Sequence, residues 1–159
     1  MPSTDFPKFL FTQLSDLIRQ ADAKAQATFY VLGITTAALL ARLNAIKASG
    51  VVTMMWLGAF MLSVLLILLA LKSIIAVIFP RLSPGSKTGL VYFRDILAHE
   101  PDEFVRAGLA LSEDDAARRV YEQVYRLAAI ADAKYRALRY ALTLTGLAIV
   151  SAILVLFLT

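Results

Sequence analysis

The sequence predicts an all-α membrane protein: three transmembrane helices with long cytoplasmic helical extensions, and a small cytoplasmic helical region between the second and third spans. Three observations carry that prediction. Of 159 residues, 59% are hydrophobic and only 18% charged, an apolar share above that of an ordinary soluble domain, and mean hydropathy is +0.70. The apolar residues gather in charge-free runs at 25–41, 48–71 and 140–159, each near the roughly 20 residues a helix needs to cross hydrocarbon. Outside those runs hydrophobic residues recur at spacings of three and four, the pattern of amphipathic helices.

Residues 1–24 form a cytoplasmic amphipathic helix. Asp5 ahead of Phe6 and Pro7 starts it, and Leu10, Leu14, Leu17, Ala21 and Ala25 fall on one stripe. The first span, 25–43, contains Gly33, Thr35 and Thr36, and its flanks Lys24 and Arg42 sit where interfacial cations belong. It does not read as a cleavable signal, because a long mixed-charge segment precedes it. The second span with a cytoplasmic extension takes 51–79, with Lys72 snorkelling toward the interface.

Residues 80–139 form the cytoplasmic helical region. It opens on a turn-rich exit, 80–87 (PRLSPGSK). Gly85, Ser86, Lys87 and Thr88 fail the phosphate-loop pattern, since the lysine follows serine and position 80 is proline. A mixed aromatic stretch at 90–99 (LVYFRDILAH) leads to a short helix opened by Pro101, with Asp102 and Glu103 in its first turn. Ser112 followed by Glu113, Asp114 and Asp115 is a capping-box start. It predicts one helix from 113 to about 158, roughly 70 Å long at 1.5 Å per residue, whose last part, 140–159, is the third span.

Orientation follows from lysine and arginine near the span ends. The loop between spans one and two holds only Arg42 and Lys47, whereas the opposite side holds Lys8, Arg19, Lys24, Arg81, Lys87, Arg94, Arg126, Lys134, Arg136 and Arg139. The positive-inside rule makes the N-terminus cytoplasmic and the C-terminus periplasmic. The net charge of +4 is then mostly this topology signal and its attraction to anionic lipid, so no nucleic-acid partner is expected.

The chain contains an internal repeat. Ala-Asp-Ala-Lys at 21–24 recurs at 131–134, an offset of 110. At the same offset Gln13 meets Gln123, Leu17 meets Leu127, Ala27 meets Ala137, Tyr30 meets Tyr140 and Thr35 meets Thr145. Val120, Val124, Leu127, Ala131 and Tyr135 make the second copy's stripe, so the two helices are expected to pack side by side. Asp22, Lys24, Asp132 and Lys134 recur in both copies, with acid and base only two apart within each. They therefore face different directions on their own helix and would pair between helices, as a structural ion-pair seam at the membrane mouth.

Zero cysteines and a single histidine, His99, argue against thiol nucleophiles, disulfides and multi-histidine metal centres. His99 lies four residues after Asp95, but no nucleophile elbow or oxyanion loop accompanies it. The expectation is a non-enzyme with no catalytic residues, no metal and no cofactor. Residues 90–96 (LVYFRDI), the spaced Phe104, residues 120–130 (VYEQVYRLAAI), Lys134-Tyr135 with Leu138-Arg139, and the early Ala-Asp-Ala-Lys-Ala resemble the Pycsar effector transmembrane family. The resemblance covers nearly the whole chain. It implies a bacterial inner-membrane antiphage effector: a cyclase makes a cyclic pyrimidine mononucleotide (cCMP or cUMP) on infection, and the effector responds by impairing membrane integrity.

A cyclic mononucleotide needs a cation for its phosphate, an aromatic face for its base and polar groups for the base edge. Under that implication Arg94, Arg126, Lys134 and Arg139 are phosphate candidates, Tyr92, Phe93, Tyr121 and Tyr125 stacking candidates, and Asp95, Gln123 and His99 edge readers. The preferred ligand-binding set is Tyr92, Arg94, Asp95, Tyr125, Arg126 and Lys134. A plainer reading stands beside it. Asp114 with Arg118, Asp115 with Arg119, Glu122 with Arg126 and Asp132 with Arg136 are i, i+4 pairs of the kind that support an exposed helix, and Tyr92-Phe93 can be packing residues.

The functional alternatives are a nucleotide-responsive effector and a constitutive membrane scaffold that recruits a soluble cytoplasmic partner through the helix pair. An unregulated channel or carrier is disfavoured, because the span interiors lack ionisable groups. A homo-oligomer is expected, since three helices enclose little space and Tyr121, Tyr125 and Leu138 leave apolar surface over. The topology is tested by reporter fusions: one placed after Thr159 should be exported and one near Ser83 retained in the cytoplasm. A cytoplasmic C-terminus contradicts three spans.

Overall fold

The computed structural model describes residues 5–49, 53–79 and 93–158. Among the described residues every regular element is a helix: α1 (Asp5–Ser49), α2 (Met54–Ile78), α3 (Phe93–Ile96), α4 (Pro101–Leu109) and α5 (Glu113–Phe157). Helices α1, α2 and α5 are each long and apolar enough to cross a membrane. The chain divides into two compact units. One comprises Gln20–Phe79 and Ala133–Thr159, the other Met1–Arg19 and Pro80–Asp132, so α1 and α5 each supply residues to both. The turn-rich segment 80–87 and Gly85 to Thr88 lie outside the described residues.

The start of α5 follows from its cap. The Ser112 hydroxyl accepts from the Asp115 backbone N–H at 3.1 Å, and lies 2.7 Å from the Asp115 carboxylate, which satisfies an amide that the first turn leaves without a helical partner. Thr53 does the same for α2, accepting from Trp56 N at 3.2 Å. Helix α4 begins with Pro101 and carries Asp102 and Glu103 in its first turn, where the helix dipole favours acids.

The first unit is a three-helix bundle of α1, α2 and α5. Its core is made mainly of small residues: Ala21, Ala25, Ala70, Ala141 and Ala148 are buried with Leu32, Ile74, Val77 and Leu138 in one cluster. A second cluster joins Leu39, Ile46, Trp56, Ala152 and Val155. Small side chains let helices approach closely, and in lipid close van der Waals contact is what holds them. Alanine provides this approach here, because a Cβ built at Gly33, Gly58 or Gly146 would meet nothing within 4 Å. Most large apolar side chains point outward, among them Ile34, Met54, Leu65, Val150 and Phe157. Such a surface suits hydrocarbon and would be insoluble in water.

Burying Leu138 corrects one expectation: it belongs to the bundle core and leaves no apolar surface for a partner. Leu17 departs in the opposite sense. It is exposed, because the ladder that runs back from Leu32 through Thr28, Ala25 and Ala21 continues to Ile18 and Leu14, which leaves Leu17 farther round the helix.

Most buried hydroxyls of the bundle are satisfied within the chain. The Thr28 hydroxyl donates to Lys24 O at 2.7 Å and that of Thr36 to Leu32 O at 2.8 Å. Ser63 and Ser151 place their hydroxyls 2.8 Å apart across α2 and α5, both within reach of Ala59 O. The Trp56 indole donates to Val155 O at 3.2 Å, one of the last four carbonyls of α5, which have no partner within the helix. Trp56 also stacks on Phe60 at 5.1 Å. Thr145 is the exception among these hydroxyls: its Oγ1 is buried with no hydrogen bond.

An unsatisfied buried hydroxyl costs about 1–3 kcal/mol, while an interhelical hydroxyl bond in a membrane protein contributes about 0.6 kcal/mol. Thr145→Val should therefore stabilise the bundle by roughly 1 kcal/mol, and Ser151→Ala should destabilise it by about 0.6 kcal/mol or more. Unfolding in sodium dodecyl sulfate, followed by fluorescence of the single tryptophan, measures both. A destabilised Thr145→Val would show that the hydroxyl has a partner.

Candidate sensing site

The second unit contains α3, α4 and the parts of α1 and α5 that carry most of the sequence's charge. Helix α3 is a single turn, extended by backbone hydrogen bonds from Ala98 N to Asp95 O and from His99 N to Ile96 O. This places Asp95 inside: its side chain is only 3% exposed, and Arg126 Nη1 of α5 lies 3.4 Å from its Oδ2. Arg126 remains 55% exposed. Its guanidinium carries five donors in a fork, so one long contact to Asp95 leaves donors available to a phosphate oxygen.

This pairing corrects the expectation that Arg126 would be matched with Glu122 on its own helix. Glu122 instead accepts from Arg118 Nε at 3.2 Å, which also replaces the expected pairing of Asp114 with Arg118. Asp115 serves the helix cap. The Arg118–Glu122 pair is solvent-exposed on both sides and contributes little to stability.

Around Asp95 and Arg126 the remaining candidates separate. Gln123, one turn before Arg126, is buried, whereas Tyr125 is 79% exposed and Tyr121 less so. Tyr125 and Arg126 are adjacent on a helix and point about 100° apart, so the tyrosine does not share the arginine's face. The His99 ring lies 6.4 Å from that of Phe104. Tyr92 lies outside the described residues, as do the side chains of Phe93 and Arg94, although the backbone of both belongs to α3.

Lys134 belongs to the other unit. Its side chain is 9% exposed and its ammonium donates to Asp22 of α1, while Lys24 Nζ stands 6.0 Å over the Tyr135 ring. Breaking a buried pair from one side costs about 3–5 kcal/mol, and the partial exposure of Asp22 places this one toward or below the low end. The pair joins the two repeat copies by side chains that are not at equivalent positions, 22 and 134. Asp132 and Arg139 are exposed. The contacts of Asp95 with Arg126, Lys24 with Tyr135 and Ser63 with Ser151 have no counterpart in the sequence pattern. A hydrophilic residue within an apolar run was the available signal for the serines, but nothing in the pattern joins 63 to 151.

Among the described residues no group of three or more His, Cys, Asp or Glu residues is placed to hold a metal ion. No curated protein and no solved structure matches the chain. A family model does, and its match runs from residue 8 to residue 159. It takes in the first and last spanning helices, the repeat and the Asp95–Arg126 pair, and on that match the chain belongs to the Pycsar effector protein domain family, PycTM.

Proposed function

We propose that this membrane protein is an antiphage effector that senses a cyclic pyrimidine mononucleotide, cCMP or cUMP, on its cytoplasmic side and responds by impairing the bacterial inner membrane. The observation that carries the reading is the family match across residues 8–159, combined with three helices long and apolar enough to span. The match is to an effector family, and the chain devotes its apolar residues to spans rather than to an enzyme core. On this reading the protein is not an enzyme, needs no cofactor, and contributes binding and conformational change alone.

Electrostatics supports the placement of the sensor. The basic residues concentrate on the side of the N-terminus and of residues 80–139, which the positive-inside rule assigns to the cytoplasm. There Arg126, already held against a buried carboxylate, and Arg94, next to Asp95 in α3, are the phosphate-binding choices. Tyr125 and Tyr92 are the stacking choices, and Asp95 the base reader. Lys134 has a partner in Asp22, so a phosphate reaching it must displace that carboxylate. Several copies act together, since one bundle of three close-packed helices encloses no aqueous path.

A scaffold that recruits a soluble partner is the second reading, favoured by the exposed Leu97, Val105 and Leu109 around α4, a helix that buries none of its residues. The two separate in inverted membrane vesicles that hold a potassium gradient. Under the effector reading cCMP or cUMP collapses the gradient. Arg94→Ala inserts normally but loses about 1.5–3 kcal/mol of binding, a tenfold or greater loss in affinity, and Arg118→Ala responds as the parent does. Equal responses from both variants remove Arg94 from the site, and no response of the intact protein to either nucleotide leaves the scaffold.

A further inference from the structure

The buried face of α5 is built mostly of small residues. Leu138, Ala141, Thr145, Ala148, Ala152 and Val155 are buried along it at steps of three and four, with Ser151 buried at its edge, about 120° round the helix from Thr145. Between Leu138 and Val155 the file is of small side chains, in a span whose exposed residues are mostly large and apolar. Small residues alone would be packing. Thr145 is what the packing does not explain.

The Thr145 side chain is 5% exposed, yet its Oγ1 makes no hydrogen bond. The other buried hydroxyls of the unit do. Thr28 bonds to the carbonyl four residues back, and Ser63 and Ser151 bond to one another and to Ala59 O. A threonine that neither glues two helices nor bonds its own backbone gains nothing over valine in this arrangement. An unsatisfied hydroxyl within a spanning segment favours any packing in which water reaches it.

We propose that the buried face of α5 centred on Thr145, with Ser151 at its edge, lines a hydrated path when the bundle opens, so that the membrane is impaired by water and small ions crossing along α5 and not by general disruption of lipid. Small side chains leave room for water once α1 and α2 draw back; water then satisfies the Thr145 hydroxyl and replaces the Ser63 contact of Ser151. The closed packing stays the ground state because alanine contacts and the Ser63–Ser151 and Asp22–Lys134 bonds hold it. This path rests on the membrane-impairing function proposed above and names the route by which it acts.

The chain has no cysteine, so single thiols report accessibility without background. Thr145→Cys, Ser151→Cys and the lipid-facing control Val150→Cys are reconstituted in potassium-loaded liposomes. Each is treated with a charged, membrane-impermeant methanethiosulfonate, with and without cCMP or cUMP. With nucleotide, labelling at 145 or 151 accelerates at least about tenfold, as expected of an open state populated at about 10% or less beforehand, and the attached charge alters the potassium leak, while Val150→Cys stays unlabelled. Two thiols are used so that failure of one variant to fold leaves the other as the test. Nucleotide-triggered leak with both thiols still protected overturns the path but keeps the effector function. No leak with either nucleotide overturns both.

Discussion

Hydrocarbon offers no hydrogen bonds, so every polar group in the spans must find its partner within the protein or go without. This explains why the described residues of the spanning bundle are helical, since a helix satisfies its own backbone. It also explains why Thr28 and Thr36 turn their hydroxyls onto carbonyls four residues back, and why Trp56 reaches Val155 O, a carbonyl exposed by the end of α5. With no hydrophobic force between helices in lipid, association falls to close contact and to a few polar bonds. The alanine-rich interface of α1, α2 and α5 and the Ser63–Ser151 contact are the two forms this takes.

Charge is arranged on the same terms. The charged groups of the bundle lie at its ends, where Lys134 is satisfied by Asp22 and Lys24 lies over the Tyr135 ring. In the other unit the buried acid Asp95 is offset by an arginine that is more than half exposed. That asymmetry matters for sensing. A fully buried ion pair is closed to a ligand, whereas an exposed guanidinium held at one corner is pre-oriented and can still accept an anion.

Much of the fold was legible in the sequence because its signals are local. Ser112 and the acids after it fixed the start of α5, Pro101 the start of α4, and the charge-free runs the spans. The repeat at 21–24 and 131–134 pointed to two helices packed side by side, and Ala21 and Ala25 do share a cluster with Leu138 and Ala141. What was not legible are the contacts between elements distant in sequence. Glu122 and Arg126 satisfy the i, i+4 rule, yet Arg126 turns to Asp95, 31 residues away, because a buried carboxylate needs a cation more than an exposed one does. Leu138 reads as spare apolar surface from its own helix and is core, since residues of α1 and α2 share its cluster. The candidate site was legible only as a set of residue types, of which the described structure brings together Asp95 and Arg126.

On the proposed function, nucleotide binding on one side of the membrane opens a defined path through it. Current across a planar bilayer containing the purified full-length protein, inserted in a known orientation, tests this most directly. Discrete conductance steps are expected when cCMP or cUMP is added to the side bearing the N-terminus, and silence when it is added to the other. Current that is independent of nucleotide, equal from both sides or without unitary steps would contradict the proposal.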